Sequence, residues 1–165
     1  MTLLADKDEP RFFKANTVPF ALRAKVDESL DELLKQDIIE PVRNSKYACP
    51  LVVVNKPDGR VRLCGNYKIT ANKVLRADQY PLPTLDEMLH SLQGGEKFTK
   101  LDLSNAYLQL ELDENSRGYT TVNTHRGLIQ YKRLPYGLAA GPGLFQRTME
   151  TLLADVPMCK AFWMM

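Results

Sequence analysis

Residues 50–67 limit what this chain can become more than any other stretch. Pro50-Leu-Val-Val-Val-Asn55 is β-branched and reads as a strand. Pro57-Asp58-Gly59 supplies turn chemistry: the proline presets φ and the glycine accepts a positive one. Val61 to Tyr67 returns as a second strand, which specifies a hairpin. Lys56, Arg60, Arg62 and Lys68 stand on or beside its tip. Two readings of those cations stay open. They form a solvated edge that discourages strand pairing, or a cationic finger that meets phosphates.

The second organising stretch is Lys100-Leu-Asp-Leu-Ser-Asn-Ala-Tyr107. Apolar residues alternate into it at Phe98, Leu101 and Leu103 and continue at Leu108, Leu110 and Leu112, a period of two that predicts a strand. Asp102 then sits at or near a strand end among residues that favour burial. A carboxylate there is costly unless it is hydrogen-bonded or holds a cation. The competing reading is a cap or turn aspartate, because Ser104-Asn105 follows at once.

Elsewhere the pattern is legible in shorter pieces. Residues 1–22, with Pro10 and Pro19, read as an extended lead-in. Val26, Leu30, Leu33 and Leu34 fall at helical spacing from Arg23, and Pro41 stops that helix. Thr84-Leu-Asp-Glu87 is a capping box after Pro83. It opens a helix whose apolar face is Leu85, Met88, Leu89 and Leu92, and Gly94-Gly95 closes it. Residues 118–124 and 128–134 read as a second hairpin. The run of small residues at Gly137, Ala139, Ala140, Gly141 and Gly143 lets backbone or a planar ligand approach closely. It leads into a helix from Pro142 with Phe145, Met149, Leu152 and Leu153 inward. Residues 156–165 are apolar and read as an incoming strand.

Composition narrows the class. At 165 residues the chain has room for one domain or part of one, and 44% hydrophobic content is enough for a core. A net charge of +2 creates no strong global field for nucleic acid or an anionic membrane. Cys49, Cys64 and Cys159 are odd in number and widely spaced, which suggests free thiols in a reducing compartment. His90 and His125 are too far apart in sequence for a metal cluster and read as structural. No stretch approaches a membrane span, and the acidic N-terminus is unlike a targeting peptide.

Together these motifs resemble the reverse transcriptase of gypsy-type long-terminal-repeat retrotransposons, over nearly the whole chain from about Pro10. The resemblance rests on Val18-Pro-Phe-Ala-Leu-Arg23, Ile39-Glu-Pro-Val42 and Leu51 through Lys68. It continues through Tyr80-Pro-Leu-Pro83, Phe98-Thr-Lys-Leu-Asp-Leu103, and Leu134-Pro-Tyr-Gly137 to Phe145-Gln146. It implies an α+β right-hand polymerase fold, with fingers and an incomplete palm built on an antiparallel sheet. Residues 1–22 would be the lead-in and 23–80 the fingers. Residues 81–165 would be a partial palm carrying an inserted fingers hairpin.

The resemblance also assigns roles. Asp102 would be the first metal-binding aspartate, helped by the Leu103 carbonyl, and Tyr107 the steric gate against a ribose 2′-hydroxyl. Lys56 and Arg62 would meet the triphosphate. Tyr136, Gly137 and Gln146 would place template and incoming base. Partners would be an RNA template, a DNA primer and deoxynucleoside triphosphates, and the location cytoplasmic. Phosphoryl transfer in this family uses two Mg2+ ions roughly 3.5–4 Å apart, held by several converging carboxylates.

The sequence departs from the family at two places. Asn66 stands where an aspartate is usual. Counting without gaps from Val156-Pro157, Met164 and Met165 fall on the two aspartates of the family's Tyr-x-Asp-Asp turn, and a thioether is no ligand for magnesium. Loss of one base from TTC-CTG-GAT-GAT gives TTC-TGG-ATG-ATG, Phe-Trp-Met-Met, so the ending is expected to reflect a shifted reading frame. The expectation is therefore a polymerase segment, inactive as an isolated chain and marginally stable because its palm sheet lacks a strand partner. The alternatives are a non-catalytic nucleic-acid-binding remnant and a pseudogene product.

Overall fold

The computed structural model describes residues 1–6, 9–57, 59–77 and 79–161. In chain order they form β1 (Arg11–Phe12), α1 (Phe20–Lys35), β2 (Ile39–Val42), β3 (Tyr47–Asn55), β4 (Val61–Gly65), α2 (Ala71–Val74), α3 (Leu85–Ser91), α4 (Glu114–Arg117), β5 (Val122–Thr124), β6 (Gly127–Tyr131) and α5 (Gly141–Leu153). The strands build one sheet in the order β1-β3-β5-β6-β2, with β4 also on β3. Pairing is antiparallel at β3–β4, β5–β6 and β2–β6 and parallel at β1–β3 and β3–β5.

β3 is the axis of the sheet. Its first half, Tyr47 to Leu51, is buried throughout, as suits a strand flanked by neighbours on both sides. Its second half pairs with β4 from Leu51↔Gly65 to Asn55↔Val61. This is the hairpin foreseen at residues 50–67, with β3 starting three residues earlier. Val26 and Leu30 of α1 pack into the same core as Leu51, Leu63, Val122 and Ile129.

Helix α1 begins at Phe20, ahead of Arg23, and ends at Lys35, well before Pro41. Asp37 then takes a positive φ of 56°, and its carboxylate accepts from the Lys132 ammonium at 2.6 and 2.7 Å. Pro41 lies in β2, a strand that sequence reading missed because proline suggested a stop. Among the described residues β2 is an edge strand that pairs with β6 alone, and an edge tolerates the missing donor.

The first residues are extended but not free. Ala5 bridges Leu75, the Leu3 amide donates to Ser116 Oγ at 2.8 Å, and Leu3 is buried. The Met1 ammonium donates to the Glu111 carbonyl at 2.9 Å and Asp113 Oδ1 at 3.1 Å; the Thr2 hydroxyl also donates to Asp113. The hydrogen bond from Thr2, followed by that from the ammonium, holds the Asp113 carboxyl below its ordinary 3.8. A depressed carboxylate stabilises the fold above its unfolded pKa and loses that contribution as pH falls through the folded one. Melting temperature against pH should therefore show Asp113→Asn below wild type at pH 6. The two should converge as pH falls below 3.8. Parallel curves would show that this anchor carries no stability.

The capping box of α3 forms as expected, with the Glu87 amide donating to Thr84 Oγ1 at 3.2 Å and the Thr84 amide to Glu87 Oε2 at 2.7 Å. Its apolar face is only partly covered: Leu85 and Leu89 are each 54% exposed, while Met88 and Leu92 are half-buried. The strand expected around Asp102 does not form. Residues 98–103 are irregular, 104–105 turn, and Ala106–Gln109 make a short 3-10 helix. Strand backbone needs a partner for its N–H and C=O groups, and none of the described residues pairs with 98–103. Leu101 is accordingly 85% exposed. The second hairpin is confirmed as β5–β6, although residues 118–120 are a 3-10 turn. α5 buries Gly141, Gly143, Phe145 and Gln146, whereas Leu152, expected inward, is 66% exposed. Residues 156–161 form turns and irregular backbone in place of the expected strand, and Met164 and Met165 lie outside the described residues. Among the described residues no helix is long and apolar enough to cross a membrane.

Candidate functional site

A column of side chains organises the surface between β4 and α5. Tyr107, delivered by the 3-10 helix after Asn105, is buried at 3% exposure. Its ring lies near-parallel to Tyr136, with centroids 5.2 Å apart and planes at 25°. On another side it meets Phe145 of α5 at 5.4 Å and 52°. The Arg62 guanidinium stands 5.5 Å from the Tyr136 centroid, a cation–π contact. The order is thus Arg62, Tyr136, Tyr107, Phe145.

Small residues make the column possible, as the run 137–143 suggested. A Cβ on Gly141 would sit 3.2 Å from the Tyr107 ring, so α5 starts close to it only without one. Gly137 turns the chain after Tyr136 with φ +97°, a conformation that glycine adopts without a Cβ penalty. Asn105 precedes Tyr107 with φ 50°, in the left-handed region where asparagine is tolerated. Ser104-Asn105 thus forms a turn two residues beyond Asp102.

Beside the column is a cavity of about 170 Å³, lined by Lys56, Arg62, Asn105, Tyr136 and Glu32 of α1 among others. The hairpin tip is tied to α1 where Lys25 Nζ donates to the Gly59 carbonyl at 2.8 Å. Burial, and secondarily the Tyr136 phenol, pushes the Tyr107 hydroxyl up to about 12. Burial also raises Tyr136, against the opposing pull of Arg62. Both rings are therefore neutral at physiological pH. Tyr136 offers the cavity a hydroxyl-tipped apolar wall beside Lys56 and Arg62, with the buried Tyr107 ring stacked on it, which suits a group with an anionic end and a flat or sugar-like end.

The structure thus brings Lys56, Arg62 and Tyr136 to one cavity, with Tyr107 stacked on Tyr136 and Gly137 next to Tyr136 in the chain. It leaves Asp102 and Leu103 apart from that cavity's lining, both on exposed irregular backbone. No described residue hydrogen-bonds or ion-pairs the Asp102 carboxylate. Gln146 is fully buried and does not line that cavity. Its Nε2 donates to Glu150 Oε1 at 2.7 Å and to the Ala161 carbonyl at 3.0 Å, and its Oε1 lacks a partner among the described residues. The Gln146 bond, ahead of one from Tyr80, lowers the Glu150 carboxyl.

The donor set does not fit a two-ion Mg2+ site. Among the described residues no three His, Cys, Asp or Glu side chains gather where a metal ion could be held. Magnesium asks for several converging oxygens, which no group of three such side chains among the described residues supplies.

Sequence reading missed two supports. Asn72 of α2 hydrogen-bonds the turn after Tyr136 through both ends of its carboxamide. Tyr67, at 1% exposure, donates to the Thr120 carbonyl at 3.0 Å and locks β4 to the second hairpin. Neither carries a local signal, because each acts on residues far along the chain.

Against known proteins, the chain matches the family model "Reverse transcriptase (RNA-dependent DNA polymerase)" over residues 54–163. It is 35% identical over 161 residues to the retrovirus-related Pol polyprotein from transposon 412 of Drosophila melanogaster, covering 94% of this chain and 13% of that one. Among solved structures it is similar to the protease-reverse transcriptase of prototype foamy virus. The TM-score is 0.80 at 26% identity, over 93% of this chain and 20% of that one. The foamy viral enzyme in complex with an RNA/DNA hybrid gives a TM-score of 0.74 at 23% identity, over 93% of this chain and 20% of that one. The chain thus spans about an eighth of the curated relative's length.

Proposed function

The chain belongs to the reverse transcriptase (RNA-dependent DNA polymerase) family, in its gypsy-type retrotransposon branch, and we propose that it forms the part that grips template and incoming nucleotide. Residues 23–80 would act as fingers and 81–165 as a partial palm, with the β5–β6 hairpin inserted from the fingers. The observation that carries this reading is the Arg62–Tyr136–Tyr107 column beside the cavity that Lys56 lines. Lys56 and Arg62 would receive the triphosphate, and charge-assisted bonds from an arginine fork suit phosphate oxygens. Tyr107 would fill the space that a 2′-hydroxyl needs. Tyr136 and Gly137 would support the base pair, and Gln146 would brace α5 from behind. Asp102 would be the first catalytic carboxylate, with the Leu103 carbonyl beside it.

Metal dependence is general in this family, and the described donors are too few to hold two ions. The chain by itself is therefore proposed to bind primer–template and nucleotide without joining them. The foamy viral relative binds an RNA/DNA hybrid, and the same class of partner is proposed here. A gel shift with a primer–RNA-template duplex should show binding that weakens as salt rises. Lys56→Ala and Arg62→Ala should each weaken binding of a deoxynucleoside triphosphate while leaving the salt slope for the duplex unchanged. Primer extension in Mg2+ should be absent. Absence of binding at low salt would defeat the reading. Extension that Asp102→Asn abolishes would show that other carboxylates complete the site.

A further inference from the structure

We infer that Asn72 is a positioning residue that holds Tyr136 against Tyr107 and thereby sets the nucleotide-selecting shape of the cleft. The inference rests on the nucleotide-site reading above and adds a residue from outside the cavity. Asn72 lies on α2, 65 positions before its partner. Its Nδ2 donates to the Gly137 carbonyl at 2.9 Å and its Oδ1 accepts from the Ala139 amide at 2.8 Å. One planar carboxamide thus uses a donor and an acceptor on a single turn, which a carboxylate or an aliphatic side chain of that size cannot do.

The clamp has a fixed base. Its neighbour Ala71 and the following Val74 are buried at 0% and 1% exposure, and α2 follows directly on the locked Tyr67 segment. Gly137 and Ala139 are exposed while Leu138 between them is buried at 3%, so Leu138 seats the turn and the Asn72 clamp fixes its exposed backbone. Gly137 comes immediately after Tyr136, and the site of its absent Cβ is 3.5 Å from both the Gly65 carbonyl and the Tyr67 ring. A turn packed this closely on one side and clamped on the other gives the Tyr136 ring one seat. That seat is the stack on Tyr107. Solvent can replace both Asn72 bonds, so their loss should cost little stability while releasing the ring.

The experiment uses the full chain with Asn72→Ala and Asn72→Asp. Asparagine to aspartate keeps size and the acceptor for Ala139 but turns a carboxylate oxygen on the Gly137 carbonyl. Three quantities are read. They are amide exchange at Ala139, the ring-to-ring nuclear Overhauser contact between Tyr107 and Tyr136, and the ratio of affinities for a deoxynucleoside and a ribonucleoside triphosphate. Asn72→Ala should speed Ala139 exchange, and both variants should weaken the ring contact. Both should also lower the affinity ratio on the order of fivefold, the worth of about one hydrogen bond, with the melting temperature barely changed. Unchanged exchange and ring contact in Asn72→Ala would overturn the inference. So would a lowered melting temperature with the affinity ratio intact, which is the mark of a purely structural role. A wild-type chain with no preference for deoxynucleotides would defeat the Tyr107 gate itself, and the exchange and ring data would still decide whether Asn72 holds the turn.

Discussion

Replacing Tyr107 with alanine is expected to lower stability by about 3–5 kcal/mol, the cost typical of a buried ring cut back to a methyl. The ring is 3% exposed and touches Tyr136 on one side and Phe145 on another. α5 begins at Gly141, which sits against the same ring. The surroundings cannot close the gap easily, because Phe145 is fixed on α5 and Tyr136 is held by its turn. Tyr136 would also lose its stack, and Arg62 would lose the ordered platform on which it rests. Urea unfolding measures this directly. Tyr107→Phe keeps the ring and should retain most of the stability. A loss below about 1 kcal/mol for the alanine variant would show that the column is not a packed unit. The same variant carries a functional readout under the proposed site: preference for deoxy- over ribonucleoside triphosphate should fall, since the ring blocking the 2′-hydroxyl is gone.

The second large effect is expected at Gly65, the last residue of β4. A Cβ there would fall 2.5 Å from Tyr67 Cζ and 2.8 Å from Cys49 Sγ. Neither neighbour can yield cheaply. The Tyr67 hydroxyl is bonded to the Thr120 carbonyl, and Cys49 is fully buried, its thiol pushed up to about 12 by that burial. Gly65→Ala should therefore cost about 1–3 kcal/mol through overpacking, seen as a lower urea midpoint with unchanged slope. Gly118→Ala is the control. Its added Cβ meets nothing within 4 Å and its φ of −54° is helical, so it should be close to neutral. Equal midpoints for the two variants would show that the β3–β4 junction relaxes without cost.

Much of this molecule could be read before folding, and the physical reason is locality. The 50–67 hairpin follows from β-branched runs around a Pro-Asp-Gly turn, and the α3 start follows from Thr84 and Glu87 three residues apart. The second hairpin and the small-residue approach to α5 were legible for the same reason: each depends on neighbours within a few positions. The family was legible too, because its motifs keep their order along the chain. Pro41 misled, since its local meaning as a helix stop was overridden by an edge position that needs no donor.

Tertiary structure decided everything that depends on a distant partner. The alternation around Asp102 promised a strand, but strand hydrogen bonds come from another segment, and the described residues provide none. Leu101 and Leu103, read as favouring burial, are exposed, because burial is a property of what packs against them. The column from Arg62 to Phe145 joins residues spread over more than half the chain. Asn72 and Tyr67 support it through hydrogen bonds to Ala139 and Thr120. Sequence by itself determined the elements and the lineage. Only the fold decided which candidate residues meet, because a contact between distant residues is set by packing and not by local spacing.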